Sequence, residues 1–190
     1  FSRMYKVYSF SMIIVCSLLI CMTKVFAYFL FAKDFYNAWQ YVPWLLISVV
    51  FGGLSGYVGG IFTAVKDTKI FAQSSSIGAL VNIILNLILV RYMDAMGAAI
   101  ATLISYWVIW VLRINKVSKY IKINISLVKD YVSFMCLIIQ GSLFFFIEGK
   151  ICLYILELFI FSFIIILNLD SFKLIFSKIK QMVFNKIWGK

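Results

Sequence analysis

Histidine is absent from these 190 residues, proline occurs once, and only seven acidic residues stand against eighteen lysines and arginines. Without histidine there is no histidine-ligated metal or haem, no Ser-His-Asp or Cys-His catalytic set and no histidine proton relay. No GxxxxGK[ST] loop is present, which excludes ATP binding through a P-loop in this chain. Paired carboxylates are missing too, and no selectivity-filter loop or charged ring is visible. What fills the chain is apolar: 64% of residues are hydrophobic, 13% are charged, and the mean hydropathy is +1.03. A soluble domain is nearer half apolar and a quarter charged. Water is therefore not the solvent of this chain, and its net charge of +11 fits anionic phospholipid headgroups rather than nucleic acid.

The four cysteines, Cys16, Cys21, Cys136 and Cys152, form no CxxC pair and lie in or at the edge of apolar runs. They read as small hydrophobes. Arg3 and Lys6 before an apolar stretch imitate a signal peptide, but the stretch is too long and has no small-residue cleavage pattern. The first residue is Phe, so the expectation is a fragment or a processed product.

A helix crosses a bilayer with about 20 apolar residues. Reading between charges predicts six spans: Val7–Phe31, Tyr41–Val65, Ile70–Val90, Ala95–Leu112, Tyr131–Ile147 and Ile151–Leu169. None alternates as an outer-membrane barrel strand does, and backbone groups in lipid must be satisfied within the segment, so the predicted fold is all-α and integral to the membrane. Residues 1–169 form this helical unit, and 170–190 form a basic tail. With the first residue inside, fourteen cations fall on inner segments (Arg3, Lys6, Lys66, Lys69, Arg113, Lys116, Lys119, Lys122, Lys129, Lys173, Lys178, Lys180, Lys186 and Lys190). Only Lys33, Arg91 and Lys150 fall outside. The asymmetry predicts that both ends face the cytoplasm.

Two segments read as non-spanning. Arg113–Asp130 is basic with interspersed Ile, Val and Tyr, and Asp170–Lys190 places Phe172, Ile175, Phe176, Ile179, Val183, Phe184 and Ile187 at mostly helical spacing among lysines. The tail is expected to lie as an amphipathic helix on the inner leaflet, or to dock a partner enzyme. The sequon Asn124-Ile125-Ser126 falls on the inner side, where glycosylation does not reach.

Within the spans, Gly52, Gly56 and Gly60 repeat at four-residue spacing, which admits a close helix neighbour or loosens the helix for bending. Gly97, Ala101 and Ser105 make a second small face. Asn82 and Asn86 share one face of the third span and can serve as interhelical glue or line a polar path. Lys24 and Glu157 are the two charges inside spans, roughly 9–11 Å below the outer edge by helical rise. They can pair, or each can face a water-filled cavity. The alternative is that Lys24 snorkels outward and Glu157 sits on a helix facing the lobe interior. Polar intramembrane residues without a catalytic set point to moving a substrate rather than converting it.

Gly78-Ala79-Leu80-Val81-Asn82-Ile83-Ile84-Leu85-Asn86-Leu87 followed by Met96-Gly97-Ala98-Ala99-Ile100-Ala101-Thr102 resembles the "GA..N..LN … GAA.AT" signature of Wzx-like polysaccharide flippases. These belong to the multidrug/oligosaccharidyl-lipid/polysaccharide exporter superfamily. Phe31-Ala32-Lys33-Asp34-Phe35-Tyr36-Asn37-Ala38 with Pro43 is similar to its "lfg..y..A…lP" loop, and Lys66-Asp67-Thr68-Lys69 to its short cytoplasmic turn. The chain departs at Ala32 and Lys33, where a Gly is common, and at Asp94, where the family usually has Gly. The resemblance runs from about Val7 to Tyr120.

It implies most of the C-terminal lobe of a two-lobe carrier, with an N-terminal lobe as its partner. The implied function is translocation of undecaprenyl-diphosphate-linked oligosaccharide across the bacterial inner membrane by alternating access, for O-antigen or other surface polysaccharide. Lys24, Asn82, Asn86 and Glu157 are then the candidate substrate path, and a polysaccharide polymerase is a further partner. No cofactor or metal is implied, and the chain is expected not to be an enzyme. The competing readings are an integral polymerase or acyltransferase of the same pathway, and a related multidrug exporter.

Overall fold

In the computed structural model, residues 1–120, 127–146, 150–174 and 177 are described. All regular elements among them are helical: α1 (Ser2–Cys21), α2 (Thr23–Leu30), a 3₁₀ segment (Lys33–Gln40), α3 (Val42–Ala64), α4 (Thr68–Val117), α5 (Leu127–Phe146) and α6 (Lys150–Leu167). Four helices are long and apolar enough to cross a membrane, and Ile151–Leu167 is a shorter apolar one. The chain is an all-α, multi-pass membrane protein. Four long helices stand where six spans were expected, for two reasons. The sixth apolar stretch is short, and α4 runs through the third and fourth predicted spans as one 50-residue element.

That element is not straight. Asp94 has φ 47° and ψ −130°, and the chain reverses there. Contacts across the reversal pair Leu89 with Gly97, Asn82 with Ser105, Gly78 with Ile109 and Ser74 with Arg113. Pairs that converge on one residue from both sides define an antiparallel hairpin. Each arm is long enough, at roughly 1.5 Å per residue, to cross about 30 Å of hydrocarbon. A positive φ with this ψ strains any residue with a Cβ, and glycine relieves it. Asp94→Gly is expected to stabilise the protein by about 1 kcal/mol. A detergent melting curve that falls instead of rising would show that the Asp94 side chain is needed at the turn.

The other ends of the spans have local causes as well. The Thr23 hydroxyl donates to the Leu19 carbonyl at 2.9 Å, and the first span breaks at Met22 beside that intrusion. Pro43 sits in the first turn of α3, where its missing N–H costs nothing. At the far end of α3, Asp67 N–H donates to Phe62 O at 2.9 Å and Lys66 N–H to Thr63 O at 3.1 Å, the double closure of a Schellman motif. Lys66 takes the left-handed position at φ 61°. The Tyr120 hydroxyl donates to Asp67, which ties the end of the hairpin back to its beginning. That bond holds the phenol proton and raises the Tyr120 pKa.

The core lies between α1, α3, α5 and α6, around Ile13, Ile20, Ile47, Leu54, Phe62, Leu137 and Ile164. The second arm of α4 joins it through Trp110, whose indole donates to the Tyr5 hydroxyl at 3.2 Å and packs on Phe51 and Phe134. The first arm touches little beyond its hairpin partner and α3, so Leu80, Ile83 and Leu87 point outward.

Two expectations need correction. Arg113–Asp130 is not one surface segment. Arg113 to Val117 continue α4, and Lys129 and Asp130 belong to the first turn of α5. Both Arg113 and Asp130 are buried, because hydroxyls and a carbonyl from α1, α3 and the first arm of α4 satisfy them there. The small face is also shifted. A Cβ built on Gly56 or Gly60 meets nothing within 4 Å, and one on Gly52 meets only the Tyr106 ring, at 3.4 Å. Close approach occurs instead at Gly53, Gly59 and Gly78. Gly97 packs on the backbone of Leu89 and Val90, and Ala101 is fully buried. The sequon lies outside the described residues, as does most of the tail. Its first turns pack back on the bundle, with Asp170 paired to Lys129 at 3.2 Å and Phe172 edge-on to Phe10. The cysteines are free, and Cys152 is exposed rather than buried.

Candidate functional site

The polar residues of the spans gather in two places, with α3 between them. The first is the seam of the α4 hairpin. The Asn82 amide donates to the Ser105 hydroxyl at 3.2 Å, and the Asn86 amide donates to the Asn82 carbonyl and side-chain oxygens at 2.9 and 3.0 Å. Each is half-buried. Their four-residue spacing puts them on one face, and the antiparallel arm brings Ser105 and Thr102 opposite. Ser75, Asn82, Thr102, Ser105 and Tyr106 thus line an open groove of about 300 Å³. A second opening of about 560 Å³ continues past Asn86 to Arg91.

Arg113 backs this groove. The residue is 4% exposed, and its guanidinium donates to three places at once: Ser74 Oγ at 2.9 Å, Ser55 O at 2.9 Å and Ser75 Oγ at 2.8 Å. The Phe71 ring lies 4.2 Å from its centre. The space exists because residue 59 is glycine: a Cβ there would stand 2.8 Å from both Arg113 Nη1 and Phe71 Cε2. Among the described residues no carboxylate pairs with Arg113. A cation in such surroundings is costly unless compensated, and here dipoles and a ring face carry all of the compensation.

The second place lies between α1, α5 and α6. Glu157 is fully buried and receives Gln140 Nε2 at 2.9 Å and Cys21 Sγ at 3.5 Å, while Ser17 Oγ donates to Gln140 Oε1 at 2.7 Å. The other Glu157 oxygen, Oε1, is buried with no hydrogen-bond partner. Toward the end of α1 that carries Arg3 and Lys6, a second buried acid, Asp130, accepts from Ser9 Oγ at 3.1 Å. The buried Ile13, Leu137 and Ile164 fall between the two acids in helical register.

Lys24 does not complete either place. Its ammonium lies 4.5 Å from the centre of the Trp39 ring and 5.1 Å from that of Phe144, beside the 3₁₀ segment. The partners of Glu157 are Gln140 and Cys21, the latter one turn before Lys24 on the same span. The four candidate path residues therefore occupy three settings rather than one continuous path. Sequence reasoning missed Arg113, Asp130, Ser17 and Gln140. Gln140 carried the same signal as Asn82, a lone amide in an apolar run. Arg113 carried none, since it reads as the first residue of a loop until Gly59 is seen beside it. Comparison with family models, with curated proteins and with solved structures finds no match for this chain.

Proposed function

We propose that this chain is the C-terminal lobe of a carrier, not an enzyme, and that it moves a lipid-linked oligosaccharide with an anionic diphosphate across a bacterial inner membrane. The observation that carries the reading is the hairpin groove. Ser75, Asn82, Thr102, Ser105 and Tyr106 line an opening between the two spanning arms; Thr102 and Ser105 spend their hydroxyl hydrogens on carbonyls of their own arm, but hydrocarbon cannot satisfy the spare hydrogens of Ser75, Asn82 and Tyr106. They need water, substrate or a second lobe. The exposed Gly56 and Gly60 on the adjacent α3 leave the approach unobstructed. In this reading the two arms of α4 count as separate spans, α6 is the sixth, and both chain ends are cytoplasmic.

Mechanistically, the lobe wall presents neutral hydrogen-bonding groups to sugar, and the lipid tail stays in the bilayer. Lys24, held by aromatic rings near the outer side, offers a cation at the exit. Buried Glu157 lies on the far side of α3 and does not meet substrate. Its role would be to link helix movement to an ion.

The test uses the full-length protein in liposomes with a fluorescent polyprenyl-diphosphate oligosaccharide on one leaflet. Protein-dependent transfer to the other leaflet is expected, reduced in Lys24→Gln and largely kept in Lys24→Arg at equal protein level. Transfer no faster than in protein-free liposomes would refute the reading.

A further inference from the structure

We propose that the inner half of the hairpin groove is a seat for an anionic oxygen group, a phosphate or a carboxylate, held by Ser75 and Asn82 against the charge of Arg113. The proposal rests on the carrier reading above and locates where the anion of its substrate is first held.

The argument starts from an uncompensated charge. Arg113 is nearly completely buried and has no acidic partner among the described residues. Its three acceptors are neutral, so the positive field is only partly cancelled, and little water is present to screen it. One of these acceptors faces the groove. Ser75 Oγ accepts a hydrogen bond from Arg113 Nη2 at 2.8 Å, which leaves its own hydroxyl hydrogen to point elsewhere, and the open direction is the groove. Accepting from a cation makes that hydroxyl a stronger donor.

The rest of the lining has the same bias. Asn82 spends its side-chain oxygen on Asn86 and one amide hydrogen on Ser105, which leaves a second amide hydrogen. Tyr106, exposed and lying against Gly52, adds a hydroxyl. Ser75, Asn82 and Tyr106 therefore each keep one hydrogen to donate, while Thr102 and Ser105 spend theirs on carbonyls of their own arm; no carboxylate lines the cavity, and a guanidinium stands behind its wall. An anion answers all three conditions, and a neutral polyol answers none of them in particular. The location fits entry from the cytoplasmic side, because Ser75 is two turns into α4 from the Lys66–Asp67 turn.

The experiment is isothermal titration of the full-length protein in phosphatidylcholine nanodiscs. The probes are geranyl diphosphate, glucuronate and methyl glucoside. Geranyl diphosphate or glucuronate should bind, with whichever binds naming the source of the anion, and methyl glucoside should not. Ser75→Ala should weaken the binding about tenfold while lowering the melting temperature clearly less than Arg113→Ala does, because Ser74 and Ser55 still hold the guanidinium. Exchange into phosphatidylglycerol nanodiscs should leave the affinity within twofold. A larger loss there would mean that a phospholipid headgroup occupies the seat instead. Equal binding of methyl glucoside, or Ser75→Ala without effect, would overturn the proposal. Binding without liposome transfer would leave the anion seat standing and remove the carrier reading.

Discussion

Gly97→Ala is expected to be the most damaging glycine-to-alanine substitution among the described residues. A Cβ at residue 97 would stand 2.4 Å from the Leu89 carbonyl oxygen, 2.5 Å from its carbon and 2.8 Å from the Val90 nitrogen. All three are backbone atoms, so no rotamer change relieves the contact, and the arms of the hairpin must part near the Asp94 turn. Overpacking in a well-filled site costs roughly 1–3 kcal/mol when side chains can yield, and here the upper end or beyond is expected. Parting the arms also opens the Asn82–Ser105 bond. The expected result is loss of monodisperse protein in detergent and faster proteolysis in the span 68–117. Gly56→Ala is the matched control: nothing lies within 4 Å of its Cβ, so alanine's better helix propensity should leave the melting temperature equal or higher. A tolerated Gly97→Ala would mean that the hairpin is not closed as described.

Arg113→Ala is expected to cost about 3 kcal/mol. The substitution removes the stem and guanidinium that fill the space beside Gly59, and strips charge-assisted bonds from Ser74, Ser75 and the Ser55 carbonyl. Replacing the cation by an apolar chain of similar length should be milder, because Arg113→Met retains volume and removes a costly buried charge. Gly59→Ala should reproduce part of the defect by driving out Nη1 and the Phe71 ring, both 2.8 Å from the new Cβ. The two sites share one space, so the double variant Gly59→Ala with Arg113→Met should cost less than the sum of the singles. Thermal melts of the parent and the four variants in one detergent measure this. Strict additivity, or an Arg113→Ala protein as stable as the parent, would show that the guanidinium does not hold the hairpin on α3.

Some properties of this protein follow from its sequence alone. The apolar runs left no alternative to helices in a membrane, because any other backbone would carry unsatisfied groups in hydrocarbon. The spacing of Asn82 and Asn86 fixed their common face, and the small residues Gly97 and Ala101 marked a close contact, since both features are local consequences of helical periodicity. Helix ends were less legible. The break at Met22 lies beside a single hydroxyl–carbonyl bond, and residues 113–117 and 127–130 extend helices into what charge alone had marked as surface.

Tertiary structure decided the rest. Gly52, Gly56 and Gly60 share a face in the sequence, yet only the arrangement of neighbours shows that Gly59 and Gly78 carry the close packing. Helical rise places Lys24 and Glu157 at one expected depth, but depth sets one coordinate of three, and the rotation of each helix sends one to aromatic rings and the other to Gln140. Arg113 is the clearest instance. Its charge reads as solvated until Ser55, Ser74, Ser75 and Gly59, from a different helix and a different arm, are brought around it. Periodicity specifies which residues share a face of one helix; which helix that face meets depends on chain reversals such as Asp94, where one backbone angle sets the partners of some fifty residues.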